Sequence, residues 1–194
     1  MWLASRETAA RIEAFASLLE RWNTRINLVG RGDAAAIRTR HVADSLQVLA
    51  LMPSGATSAV DLGSGSGLPG VVLAIAGGVH VHLVDRDQRK AAFLREAIRV
   101  CDAKATVHVA DFLELPPLGA DLVLSRATAP LAVLLDAGHR HGRNGAVMLF
   151  HKSAAQFPEA EAARARHRFA LQRLPSRSDP RGEIWRVSGV SHGA

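Results

Sequence analysis

The run Val60-Asp61-Leu62-Gly63-Ser64-Gly65-Ser66-Gly67-Leu68-Pro69-Gly70 joins an apolar strand, an acid at its end and a glycine-rich turn that opens a helix. Glycine reaches positive φ freely and has no side chain to hold a ligand off, and the first N–H groups of the following helix lack intrahelical partners. The run therefore suits close approach of bare backbone to a nucleotide. On this reading a side chain at Gly63 would fill space the ligand needs. Gly65-x-Gly67-x-x-Gly70 also satisfies the dinucleotide fingerprint, with Asp85 about where the ribose-binding acid should fall. The glycines alone leave the cofactor open. Asp61 narrows the choice: a carboxylate at the strand end would repel a pyrophosphate, whereas S-adenosylmethionine carries cationic sulfonium and ammonium groups and no phosphate.

In open α/β sheets ligands gather at the carboxyl ends of the strands, which singles out Asp61, Asp85, Asp111, Arg126 and Lys152. Asp85 offers two acceptor oxygens to the two hydroxyls of a ribose, and a helix N-cap is compatible with that role. Asp111 follows the third strand, where it serves either an adenine edge or its own turn. Arg126, in Ser125-Arg126-Ala127, is placed to pair with the carboxylate of a cofactor's methionine or with a substrate phosphate. His41 and Asp44 either contact a substrate or close over the cofactor, or belong to a helix-face network in which Arg40 pairs with Asp44. Arg86, Arg89 and Lys90 open a helix near the same edge and can hold phosphates or form a solvated face.

These residues need a frame to position them. Ile12, Phe15, Leu19, Trp22 and Ile26 recur at helical spacing, predicting an amphipathic helix over 7–26, with Trp22 a core residue. Asp33 caps a second helix through Leu49. From residue 59 short β-rich runs alternate with helical segments, the signature of βαβ units: strands at 59–62, 81–85, 106–109, 122–125 and 146–151, and helices at 69–76, 86–100 and 131–137. A helix from Lys152 to about Arg168 then leads to strands at 169–174 and 183–190, paired as an antiparallel hairpin at the sheet edge. The expected architecture is α/β, a mainly parallel seven-stranded sheet, with residues 1–57 a two-helix extension packed on the same domain as 58–194.

One cysteine, Cys101, excludes a disulfide framework and a C-x-x-C metal site, and no metal is expected. No run is long or apolar enough to span a bilayer and no signal peptide is visible, so a cytoplasmic monomer is the expectation. The formal charge of +6 and the pI of about 10.8 favour a polyanionic partner. The excess lies in residues 1–60, with seven Lys and Arg against five Asp and Glu, and above all in residues 140–194, with ten against four. The cofactor-binding middle is slightly acidic.

Trp22-Asn23-x-x-Ile26-Asn27-Leu28-Val29, Arg40-His41-x-x-Asp44-Ser45-Leu46, the Asp61–Gly70 run, Arg89-Lys90-x-x-Phe93-Leu94 and Ser125-Arg126-Ala127 occur here in order. Together they resemble the bacterial small-subunit ribosomal RNA guanine-N7 methyltransferases of the glucose-inhibited division B type. The resemblance implies a Rossmann-like class I S-adenosylmethionine-dependent methyltransferase acting on N7 of a specific guanine in 16S ribosomal RNA, free or within a small-subunit particle. It also implies cofactor contacts at Gly63, Leu68, Ala110, Asp111 and Arg126, with Asp85 on the ribose. His41, Arg86, Arg89, Lys90 and Lys152 are the candidates on the RNA side. Ser153 departs from the family pattern, which has glycine there.

Guanine N7 already presents a lone pair, so in-line attack on a sulfonium methyl needs no general base and no catalytic acid–base residue is expected. An Asn/Asp-Pro-Pro-aromatic motif for amino-group methylation is absent from the sequence, and Cys101 reads as core rather than as a nucleophile for carbon methylation. The alternatives are a methyltransferase acting on a small molecule or protein, and a non-catalytic RNA-binding or NAD-binding module.

Overall fold

The computed structural model describes residues 5–30, 36–126 and 128–193. Its strands are β1 (Ser58–Leu62), β2 (His80–Asp85), β3 (Ala105–Val109), β4 (Ala120–Arg126), β5 (Gly142–Ser153), β6 (His167–Pro175) and β7 (Gly182–His192). They form one sheet in the order β3-β2-β1-β4-β5-β7-β6. The first five run parallel, and β7 inserts antiparallel between β5 and β6. Central strands buried on both faces must be apolar along their whole length rather than alternating, and the continuous run Leu122-Val123-Leu124 in β4 is fully buried.

Helices α1 (Arg6–Asn23), α2 (Ala43–Leu49), α3 (Gly70–Ala76) and α4 (Gln88–Cys101) share one buried cluster with one face of the sheet. Helices α5 (Leu131–His141) and α6 (Pro158–Ala163) lie over a second cluster built around Leu134, Phe150 and Trp185. The chain reverses its lateral direction between β1 and β4, and the crevice at their carboxyl ends is where such sheets bind ligands.

Helix α1 begins at Ser5, whose hydroxyl accepts the Thr8 N–H at 3.1 Å, and buries Ile12, Phe15, Leu18 and Leu19. Its end has a second use. The Asn23 carboxamide oxygen accepts the N–H groups of Leu28 and Val29 at 3.0 and 2.9 Å, folding the following loop back over the sheet edge. Trp22 behaves as core, edge-on to Phe93 with its indole N–H donating to Glu96 at 3.0 Å.

The expected second helix differs from the fold observed. Residues Ile37–Val42 form a π-helical turn that runs into α2, and the expected Asp33 cap lies outside the described residues. A longer revision concerns the segment after Lys152. In place of one helix to about Arg168, β5 continues to Ser153, a 3-10 turn covers Ala154–Gln156, α6 stops at Ala163 and β6 starts at His167. The alanine-rich run favours a helix locally, but pairing of His167 with His192 in the hairpin ends it early. Ser153 has a task of its own here: its N–H donates to Gln156 Oε1 at 2.9 Å, closing a capping box on that turn.

Candidate active site

The glycine turn is braced from beneath. Asp61, 1% exposed, accepts the Gly70 N–H at 3.1 Å at the start of α3, and burial pushes its carboxyl up to about 7. The carboxylate faces into the turn and not into the cleft above it. This corrects the expectation that Asp61 meets a cationic ligand directly. Gly63 has φ +69°, and a Cβ there would collide with the Thr128 side chain. Its glycine is therefore required by backbone geometry and by Thr128, and the residue also lines the cleft. Thr128 itself donates to the carbonyls of Leu62 and Arg126 at 3.1 and 3.0 Å, locking the loop after β4 against the end of β1.

Asp85 stands at the end of β2 with two backbone N–H partners, Gly65 on Oδ2 and Asp87 on Oδ1, both at 2.9 Å. Each carboxylate oxygen retains further acceptor capacity toward the cleft. The helix N-cap is the neighbouring Asp87, which accepts the N–H groups of Arg89 and Lys90. Asp111 accepts the Leu113 N–H at 2.9 Å in a local turn and still lines the cleft, so both of its expected roles coexist.

A cleft of about 550 Å³ opens at this edge, and Gly63, Leu68, Asp85, Ala110, Asp111 and Arg126 all line it. His41, Arg86 and Lys90 join them, as do Leu28, Val29 and Gly30 from the loop that Asn23 folds back. Arg89 is not among these. It is exposed, with its guanidinium 3.7 Å from Asp87. Lys152 is turned inward: its ammonium donates to Glu159 at 2.7 Å and to the Ala129 carbonyl at 3.1 Å, and Glu159 caps α5 by accepting the Leu131 N–H. This pair braces the β4–α5 loop, and with its side chain only 1% exposed the Lys152 ammonium faces the protein rather than the surface, unlike the strand-end cation expected for RNA.

Arg126 is the most unusual group in the cleft. One terminal nitrogen, Nη2, donates to His41 Nδ1, and the other, Nη1, is buried without a hydrogen-bond partner among the described residues. A guanidinium has no lone pair to give, so His41 must accept at Nδ1 and carry its proton on Nε2, which is also buried and unpartnered. Burial, followed by the Arg126 charge, holds the His41 imidazole down at about 4, so the ring is neutral. Two buried N–H donors are thus without an acceptor among the described residues, an arrangement that costs stability. His151, buried behind them, is likewise held down at about 4.

The depressed His41 value gives a testable pH effect. An imidazole with an ordinary value of 6.5 when unfolded and about 4 when folded stabilises the fold above pH 6.5, and that contribution fades as pH falls toward 4. At pH 5 the loss is about 2 kcal/mol. Asp61 acts in the opposite sense over the range from 3.8 to about 7, so the variant must be compared with the parent. The stability difference between His41→Gln and the parent should shift in favour of the variant by that amount between pH 7.5 and pH 5 in urea titrations. A difference that stays constant with pH contradicts this.

Sequence reasoning missed what holds the π-helical turn in place. Asp44 accepts from the hydroxyls of Ser176 and Ser178 in the β6–β7 connection, Gln47 donates to the Pro175 carbonyl at 2.9 Å, and Arg40 reaches Asp179 at 3.4 Å. No local pattern signals these contacts, because their partners lie more than a hundred residues apart. They close the wall of a second cavity of about 650 Å³, which shares Arg126 with the first.

The sheet order, glycine turn and cleft define a class I S-adenosylmethionine-dependent methyltransferase fold. Solved structures agree: a TehB-like SAM-dependent methyltransferase from Corynebacterium glutamicum superposes with a TM-score of 0.62 at 18% identity over 89% of this chain and 97% of its own. A tRNA (m1A58) methyltransferase, TrmI, from Aquifex aeolicus gives 0.56 at 15% identity over 75% and 67%. The family described as rRNA small subunit methyltransferase G (GidB) matches residues 8–179, so the chain belongs to that family. Ribosomal RNA small subunit methyltransferase G of Rhodospirillum centenum is 47% identical over 96% of this chain and 87% of its own length. That of Gluconobacter oxydans is 45% identical over 97% of both. Among the described residues no helix is long and apolar enough to cross a membrane.

Proposed function

We propose that this chain transfers a methyl group from S-adenosylmethionine to N7 of a specific guanine in 16S ribosomal RNA, as a monomer in the cytoplasm. Residues 1–57 are read as a helical extension of the same domain as 58–194, a reading supported by the cluster that α1 shares with α3 and α4. The observation that carries the cofactor assignment is one cleft lined by the Asp85 carboxylate and by Arg126, whose Nη1 has no hydrogen-bond partner among the described residues. S-adenosylmethionine supplies an electrophilic methyl group, and its ribose diol and methionine carboxylate are complementary to these two poles.

The residues of this chain then orient and exclude. Asp85 holds the ribose, Arg126 the carboxylate, and Gly63, Leu68, Ala110 and Asp111 wall the remainder of the cofactor. None is required to remove a proton, since N7 offers its lone pair directly. His41 is poorly suited to act as a base, its Nδ1 lone pair being occupied by Arg126. Burial pushes the Cys101 thiol up to about 11, which leaves it no thiolate for a covalent route. Holding the reacting pair in line in the cleft supplies the rate through orientation.

Calorimetry should give saturable one-site binding of S-adenosylmethionine and none of NAD; the reverse preference overturns the cofactor reading. On the RNA side, Arg86 at the cleft and exposed Arg89 form the first turn of basic surface beside the site. Arg89→Ala, outside the cleft lining, should weaken RNA binding and reduce its salt slope by up to about one unit for a lost phosphate contact, leaving cofactor affinity unchanged. An unaltered slope and affinity would place the RNA elsewhere.

A further inference from the structure

At the opposite edge of the sheet from the cleft, the hairpin and α5 bring together a set of metal-ligating groups. β7 starts beside the carboxyl end of β5, where Gly182 pairs with Ser153, so its far end, His192, lies at the amino edge of the parallel strands. There His192 pairs across the hairpin with His167, the first residue of β6. Asp136 reaches them from α5. One ligand atom from each of Asp136, His167 and His192 lies within 4.8 Å of the other two. His167 Nε2 is 2.7 Å from Asp136 Oδ1, and His192 Nδ1 is 4.0 Å from the same oxygen.

A fourth candidate stands beside them. His139 follows Asp136 by three residues on α5, which sets both on one helix face, and its ring centroid is 5.4 Å from that of His192. Asp136, His167 and His192 bring ligand atoms from α5, β6 and β7 together, with His139 beside His192. We propose that Asp136, His167 and His192 form a binding site for a divalent transition-metal cation of the zinc type, with His139 able to complete the shell.

The donor chemistry selects the cation class. Two or three imidazoles with one carboxylate suit zinc and its first-row neighbours, whereas magnesium and calcium require oxygen-rich shells. Donors about 2.0–2.2 Å from a tetrahedral zinc ion lie about 3.4 Å apart, so binding must open the 2.7 Å His167–Asp136 contact and draw His192 in from 4.0 Å. His192 and Asp136 have the room to do so, with side chains 59% and 30% exposed, while His167 is fully buried and acts as the fixed point. Arg166, 3.8 Å from Asp136 and 68% exposed, can swing into solvent as the cation takes its place.

Such a site would not take part in methyl transfer. It would clasp the edge hairpin to α5, and a ligand that binds only the folded chain raises its stability. The sequence signal was indistinct because the four residues are divided between one helix and the two ends of a hairpin, with no cysteine among them.

The test uses the full chain without an affinity tag, stripped with chelator and titrated with zinc and, as a spectroscopic probe, with cobalt. The expected result is one saturable equivalent, visible cobalt absorption from a nitrogen–oxygen shell, and a melting temperature raised by zinc but not by magnesium. His192→Gln and Asp136→Asn, both at partly exposed positions, should each lower zinc affinity by at least about 10- to 100-fold with the fold intact by circular dichroism. His82→Gln should leave it unchanged, because the His82–His108 pair, 3.0 Å apart on β2 and β3, is the competing histidine cluster. Absence of a saturable equivalent, undiminished affinity in both site variants, or loss of binding in His82→Gln overturns the proposal.

Discussion

Replacing Asp85 with alanine should raise the dissociation constant for S-adenosylmethionine by about 10- to 100-fold, corresponding to ~1–3 kcal/mol of hydrogen bonding to a charged acceptor. The carboxylate does two things at once. It fixes the glycine turn through the Gly65 N–H and the start of the next segment through the Asp87 N–H, and its remaining lone pairs face the cleft where the ribose is proposed to bind. Because the contact is to the nucleoside, S-adenosylmethionine, S-adenosylhomocysteine and 5′-methylthioadenosine should all weaken together. Calorimetry on the three ligands, with circular dichroism to verify the fold, makes the comparison. Unchanged affinity for all three would remove Asp85 from the ribose role.

Arg126→Ala should produce a different pattern. Its unpaired Nη1 is assigned to the methionine carboxylate, so binding of S-adenosylmethionine should weaken by about 10-fold or more, as expected when a charged hydrogen-bond partner is lost. Affinity for 5′-methylthioadenosine, which has no carboxylate, should hardly change. Arg126→Lys should recover only part of the loss, since a point charge cannot donate to His41 and to a carboxylate in the planar fork that a guanidinium offers. Stability with ligand gives a second signature. The alanine variant should also lose the melting-temperature rise that the parent shows with cofactor. Equal weakening of all three ligands would instead mean that Arg126 shapes the whole cleft.

What the sequence made legible were features with local physical causes. Strand ends could be read from apolar runs that stop at an acid or an arginine, and the carboxyl-edge rule then converted Asp85, Asp111 and Arg126 into neighbours around one cleft. The hairpin followed from the proline- and glycine-containing connection, and its order in the sheet agrees. Features that depend on distant partners were not legible. Asp44 looks like half of an i,i+4 pair with Arg40, yet its carboxylate is satisfied by two serines beyond β6. Lys152 looks like a cation at a strand end, but Glu159 turns it into the core. Asp61 carries a charge that reads as cofactor selection, and the structure uses it as a strut under Gly70. In each case residue type and position were informative about location, while direction was set by tertiary hydrogen bonds invisible to periodicity.

The loop over the cleft is a fourth example. Trp22-Asn23 and Leu28-Val29 belong to one signature segment, and the reason they occur together is that Asn23 accepts both loop N–H groups while Trp22 anchors the helix end on Phe93. An asparagine at a helix end ordinarily reads as a simple stop. Here it also sets the height of one wall of the site.

The most direct measurement of the central claim uses 16S ribosomal RNA from a strain lacking this gene, supplied as free RNA and as small-subunit particles. Purified protein and S-adenosylmethionine labelled in the methyl group are added, and the product is mapped by the strand cleavage that follows borohydride reduction of N7-methylguanine. The expected result is label in a single guanine and cleavage at that one position, with both reduced for Arg126→Ala at S-adenosylmethionine concentrations below the variant's dissociation constant. Label that resists this cleavage because it sits on an amino nitrogen or a ring carbon, or no transfer to either form of the RNA, would contradict it.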